Sequence, residues 1–240
     1  MNLIIKCDCF SACPHCSIEL AFLLDSSTKT DSNAWMQMRE YVSSVVQGYT
    51  ISSTCVRVAV IRYSNNADAP IQLNSHDNVN DLMGAIGTIG FLGGSSNLAA
   101  ALDLLRTQVF ASNAVRRNTK HIAVIVTDQL QSSSQITTAA NNVKNQGITI
   151  VGVAITAPGR SVDLNFFNST VSDRSCLIPV GDYSQLISRA REPVVSECAC
   201  IPFIPPPTTP PPTDPGKYLI DFSIQRSLRA RLILTQLCYA

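Results

Sequence analysis

The chain has 240 residues, enough for one sizeable core plus tails. A formal net charge of +1 leaves no field that would draw nucleic acid or an anionic membrane surface. Charged residues make up only 15%, with Ser, Thr and Asn in their place, and no stretch reaches the roughly 18 apolar residues of a membrane span.

Residues 1–16 form a cysteine-rich lead containing Cys7, Cys9, Cys13, Cys16 and His15. The spacing admits a zinc site. The Cys13-x2-Cys16 pair has no second well-spaced pair nearby, so disulfides are the favoured reading. Nine cysteines in all, an odd number, leave at least one free or intermolecular thiol. The apolar run from Met1 to Ile5 is too short for a secretory signal. The chain therefore reads as an incomplete piece of a longer secreted protein.

Residues 17–197 read as the folded domain. Ile18–Asp25 is a nearly continuous apolar run ending in an acid, as expected of a central strand buried on both faces. Trp35, Met38, Tyr41, Val42, Val45 and Val46 follow at helical spacing. Val56–Ser64 is a second strand and Ala69–Leu73 a third, confined to a sheet edge by Pro70. Residues 78–88 are a short helix, and Gly90–Asn97 a loop. Leu98, Ala101, Leu102, Leu105 and Val109 share one face of the next helix. His121–Asp128 repeats the pattern of apolar strand followed by Asp. Ile136, Ala139, Ala140 and Val143 mark a helix, Ile148–Ile155 a fifth strand and Cys176–Val180 a sixth. Asp182 caps a last helix.

This alternation predicts an α/β fold: a doubly wound, mostly parallel six-stranded sheet with helices on both faces and one short antiparallel edge strand. Ligands of such sheets gather at the carboxyl ends of the strands. Asp25 and Asp128 both stand there. One acid alone would be read as a turn cap; two in equivalent places point to a site.

Beyond the domain, residues 198–216 are a Cys- and Pro-rich linker, with eight prolines in the fourteen positions 202–215. Residues 217–240 are a basic-apolar tail with no assigned role. Asn168-Ser169-Thr170 is a glycosylation sequon, expected in a loop. Gly93-Gly94 lacks the Lys-Ser/Thr pair of a phosphate loop. No nucleophile–base pair is visible around His76 or His121, so no enzyme is expected.

The segments LLDSSTK, FLGGSSNLAAAL and VIVTDQ resemble, in order and spacing, the three signature segments of von Willebrand factor type A domains. The flanking cysteines and Pro-rich linker are closest to the collagen-associated and matrilin-like branches. The resemblance implies an extracellular adhesion module, with collagen, other matrix proteins or cell-surface receptors as partners. It also implies a metal-ion-dependent adhesion site made by Asp25, Ser27, Ser96 and Asp128. Hard oxygen donors of this kind suit Mg²⁺ or Mn²⁺. Lys29 falls where the pattern has a serine, and an ammonium offers three donors and no acceptor. Either it swings to solvent, or it takes the cation's place between the aspartates, or the register slips among Ser26, Thr28 and Thr30. Weak or no Mg²⁺ binding is therefore expected, restored by Lys29→Ser. The competing reading is a metal-independent structural or assembly module in a larger secreted mosaic.

In the family's strand order, Cys55 and Cys176 begin strands four spacings apart, about 19 Å, beyond the roughly 7 Å Cα limit of a disulfide. Domain termini often lie close together. Cys16, or a near neighbour, is expected to pair with Cys198 or Cys200, stapling the module at its base.

Overall fold

The computed structural model describes residues 17–28, 31–111, 115, 116 and 119–189. Strand β1 (Ile18–Asp25) is buried at all eight positions. An unbroken apolar strand has two faces to cover, and the chain covers both with helices. Beside it run β2 (Val56–Tyr63) and β4 (Lys120–Thr127), then β6 (Thr149–Ile155) and β8 (Leu177–Val180). With β3 (Ala67–Ile71) these make one six-stranded sheet in the order β3-β2-β1-β4-β6-β8. Every pairing is parallel except β2 with β3, which is antiparallel. Pro70 therefore sits on an edge strand, where its missing N–H costs least.

On one side α1 (Ser32–Val46) packs with α2 (Val79–Thr88) and α6 (Ser184–Arg189); elsewhere α3 (Leu98–Leu104), α4 (Ser134–Asn145) and α5 (Leu164–Thr170) pack in sequence. The helices start on side-chain caps. Asp31 accepts from the amide of Ala34 at 2.8 Å, Asn97 from Ala100 at 3.1 Å, and Asp163 from Phe166 at 2.9 Å. The predicted apolar stripe of α3 is buried, and its last part, Leu105–Val109, widens into a π-turn. One glycine is fixed by packing: a Cβ on Gly152 of β6 would lie 2.6 Å from the Phe167 ring.

The sequence did not announce a second, minute sheet. Strands β5 (Gln129–Leu130) and β7 (Ser161–Val162) pair in parallel, two residues each. The pairing ties the segment after Asp128 to the segment after β6.

Cys55 and Cys176 are disulfide-bonded, and the observed strand order keeps them from being each other's partner. The expected staple between Cys16 and Cys198 lies outside the described residues. So do the lead, the linker and the tail.

Candidate binding face

Five parallel strands end on one side of the sheet, and the loops leaving them form a single face. The short turn after β1 is held by backbone bonds. Ser26 donates to Tyr63 O at 2.8 Å, and Thr28 to Gly94 O at 2.7 Å. These bonds tie the first signature segment to β2 and to the glycine loop. Gly94 has φ +95°, and a Cβ there would meet the Asn65 amide at 2.9 Å, so the loop requires glycine. Asn65 Oδ1 in turn accepts from the amide of Ser95 at 2.8 Å. The loop thus delivers Ser96 to the site.

Asp25 is fully buried. Its Oδ1 accepts from Ser27 N at 3.0 Å; its Oδ2 accepts from Ser96 Oγ at 2.8 Å and from Thr127 Oγ1 at 2.9 Å. Burial pushes its carboxyl pKa up, against the lowering effect of these bonds. Gln129 donates to Ser27 Oγ, which links the β1 turn to the residue after Asp128. Asp25 thus gathers Ser27 and Ser96 directly, and Gln129 ties the segment of Asp128 to the same turn. Tyr63 stands across from Asp25 in the register, and its pKa is raised well above normal by burial and by the Asp25 charge. Its buried hydroxyl has no hydrogen-bond partner among the described residues.

Asp128 is also fully buried, and its surroundings differ. Tyr183 donates its hydroxyl to Asp128 Oδ2 at 2.6 Å, and Arg160 Nη1 lies 3.0 Å from the same oxygen. The Arg160 guanidinium lies over the Tyr183 ring, 5.7 Å from its centroid, and reaches Asp31 Oδ2 at 3.5 Å. Burial and the Asp128 carboxylate raise the Tyr183 pKa, which keeps the hydroxyl a donor. The small β5–β7 sheet explains the placement. Ser161 N donates to Asp128 O at 3.3 Å, which sets the residue before it against the aspartate.

Sequence reasoning missed Arg160, Tyr183 and Thr127. The rule that marked the two aspartates covers them too, because Arg160 follows β6 and Tyr183 follows β8, both at carboxyl ends. Lys29 lies outside the described residues, so its predicted effect is not visible. Asn168 is exposed, in the last turn of α5 rather than in a loop, and the Thr170 hydroxyl of its sequon is buried, donating to Phe166 O at 3.0 Å. Trp35 belongs to the core, its indole N–H donating to Ile89 O at 3.1 Å.

The donor set suits a hard cation only in part. Among the described residues no three His, Cys, Asp or Glu side chains gather as a metal-binding group. The Asp25 half has the right oxygens, and the orphaned Tyr63 hydroxyl beside them has capacity for a further oxygen. The Asp128 half does not fit. A Mg²⁺-sized ion bound directly to Asp128 would sit about 2.0–2.1 Å from an oxygen, and Oδ2 already faces a guanidinium at 3.0 Å. With Arg160 in this place, the residues present do not fit a divalent ion bridging both aspartates.

A family profile of the von Willebrand factor type A domain matches residues 19–189. The chain belongs to this family. Among curated relatives of this type A domain, human vitrin is 27% identical over 164 residues, covering 66% of this chain and 24% of vitrin. The collagen alpha-1(XII) chain of Notophthalmus viridescens is 26% identical over 183 residues, covering 75% of this chain and 19% of that one. The chain thus spans about a quarter or less of the length of these relatives. Among solved structures, proximal thread matrix protein 1 of the mussel byssus superposes with a TM-score of 0.68 at 16% identity, covering 79% of this chain and 47% of that one. A manganese-loaded TRAP protein of Plasmodium vivax follows at 0.61 and 14%, covering 75% of this chain and 74% of that one. Another structure of the mussel protein carries zinc in its adhesion motif. At these identities the structural likeness shows the type A fold.

Proposed function

We propose that this type A domain is an extracellular protein-binding and adhesion module that meets its partner at the carboxyl ends of the strands. The observation that carries the reading is the convergence of Asp25, Ser27, Ser96 and Asp128 on that face, from three segments far apart in sequence. Beside them runs an open groove lined by Asn65, Ser95, Asn97, Gln131, Gln135 and other side chains, none of them charged among the described residues. Phe91 and Leu92, in the same loop as Ser96, are exposed at 40% and 43%. A surface of amides, hydroxyls and a few exposed apolar groups suits a protein ligand. The vitrin and collagen-chain relatives support collagen, other matrix proteins or a cell-surface receptor as that ligand. They also support a secreted location, and the chain does no chemistry of its own in this reading.

One observation favours the second reading, a metal-independent assembly module. The engagement of Asp128 by Arg160 lets the face stand without Mg²⁺ or Mn²⁺. Binding to immobilised collagens and matrix proteins, with metal and in chelator, tests both. Ser95→Trp fills the groove from an exposed position, while Asn74→Trp places the same bulk in the loop after β3, at the opposite end of the sheet. Loss of binding by at least about ten-fold, roughly 1.4 kcal/mol, is expected for Ser95→Trp alone. Equal behaviour of the two variants overturns the assignment of the face.

A further inference from the structure

We infer that Arg160 is, among the described residues, the resident cation of this face, holding Asp128 where a divalent ion would have to bind, so that metal and guanidinium compete for one carboxylate. The proposal rests on the reading of this cluster as the adhesion site; it adds what controls it.

Four observations carry it. Asp128 is fully buried, and a buried carboxylate needs donors or a counter-charge. Arg160 supplies the charge at 3.0 Å and Tyr183 a hydrogen bond at 2.6 Å, both on Oδ2. The guanidinium is held in that pose from outside the pair. It lies over the Tyr183 ring and next to Asp31, the cap of α1, so the loop after β6, the end of β8 and the start of α1 meet around one cation. Finally, the loop is anchored by the β5–β7 pairing, with Arg160 N also donating to Ala157 O at 3.0 Å.

The guanidinium also stands next to solvent. Arg160 is the last residue before β7, on a loop whose neighbour Gly159 has φ +79°. Its side chain is 18% exposed and the Asp31 side chain 65%, so the guanidinium has a path to water. If the pair with Asp128 is closed in about 90–99% of molecules, it weakens metal binding by about ten- to hundred-fold, because only the open fraction is competent.

The test uses the full chain and Mn²⁺ or Mg²⁺ alone as the probe. Calorimetry compares the native chain, Arg160→Gln and the double variant Arg160→Gln/Asp128→Asn. Each is also made with Lys29→Ser, so that a blocking effect of Lys29 is removed. Arg160→Gln is expected to bind Mn²⁺ at least about ten-fold tighter than its parent in the Lys29→Ser background. In chelator its melting temperature falls, and Mn²⁺ restores it. The double variant, with the buried charge removed, melts higher in chelator than Arg160→Gln and does not gain Mn²⁺ affinity. Should Arg160→Gln fail to fold in chelator, recovery of folding in the double variant reads out the same charge. Equal Mn²⁺ affinity with and without Arg160 overturns the proposal. So does an unchanged melting temperature of Arg160→Gln in chelator, or Mn²⁺ binding by the double variant as tight as by Arg160→Gln. No protein partner enters these measurements. Failure to bind matrix proteins would therefore leave the competition standing, and failure of the competition would leave the binding face standing.

Discussion

The two ends of the sheet use the same device to different ends. At each, an arginine from a loop meets a fully buried carboxylate carried by or following a central strand: Arg116 with Glu19 at the strand starts, Arg160 with Asp128 at the strand ends. Arg116 is built into the backbone. Its Nε donates to Glu19 Oε1 at 2.7 Å, and one terminal nitrogen donates to Ile18 O at 2.8 Å and Cys55 O at 2.7 Å. It thereby clamps the first residue of β1 to the residue before β2. Arg160 instead meets an aromatic face, a tyrosine-bound carboxylate and the exposed cap of α1. Backbone carbonyls have no alternative position, whereas side chains turn. The same ion pair is a rivet at the base and an exchangeable cation at the binding face.

The largest expected effect is at the base. Arg116→Met removes the counter-charge of the buried Glu19, leaving only the backbone amide of residue 116 on Oε1 at 3.2 Å, and should cost about 3–5 kcal/mol. The midpoint of urea unfolding measures it. Replacing Glu19 by Leu as well should recover part of the loss, and not all, because the carbonyls of Ile18 and Cys55 also lose their donor. A loss under about 1 kcal/mol for Arg116→Met would dissolve the contrast between the two ends. Arg160→Gln, unfolded by urea in chelator, should cost less, about 1–3 kcal/mol, since the Tyr183 hydroxyl remains on Asp128. A cost equal to that of Arg116→Met would mean that Arg160 is a rivet too.

This contrast also explains what the sequence could show. β1 and β4 were legible because an unbroken apolar run has one use in an α/β fold, and an acid at its end is conspicuous. Ser96 was legible only through the resemblance of FLGGSSNLAAAL to a type A signature segment, whose Gly94 the tight approach to Asn65 demands. Strand order came with the resemblance to type A domains, since the alternation of elements says only that the sheet is mostly parallel. Arg160 was hidden because its position depends on a pairing of two residues with two, too short for any periodicity. Glu19 was hidden inside an apolar strand, with its partner 97 residues away. A single charged residue in a loop carries no mark of the buried group it will meet. The edge strand was legible through Pro70, though its bounds lie two residues earlier than the pattern suggested.

The smallest effect separates the two aspartates of the face. Asp128 has a cation beside it, whereas Asp25 is held by one amide and two hydroxyls. Burial raises its pKa above the ordinary 3.8, so the folded chain holds a proton there that the unfolded chain has released. Over that interval the folded state binds more protons, and stability falls as pH rises from about 3.8 through the folded pKa. Asp25→Asn removes this falling limb. The amide has a place to donate: Thr127 Oγ1 lies 2.9 Å from Asp25 Oδ2 and 2.8 Å from Gln129 O, so its proton can go to the carbonyl while it accepts from the new amide. In chelator at neutral pH the variant should be slightly more stable than the native chain, by up to about 1 kcal/mol. The advantage should grow with pH above the carboxyl's ordinary value. Urea midpoints of both chains across that range measure it. An advantage that shrinks as pH rises would mean that Asp25, like Asp128, has a cation at hand, and the two halves of the face would then be alike.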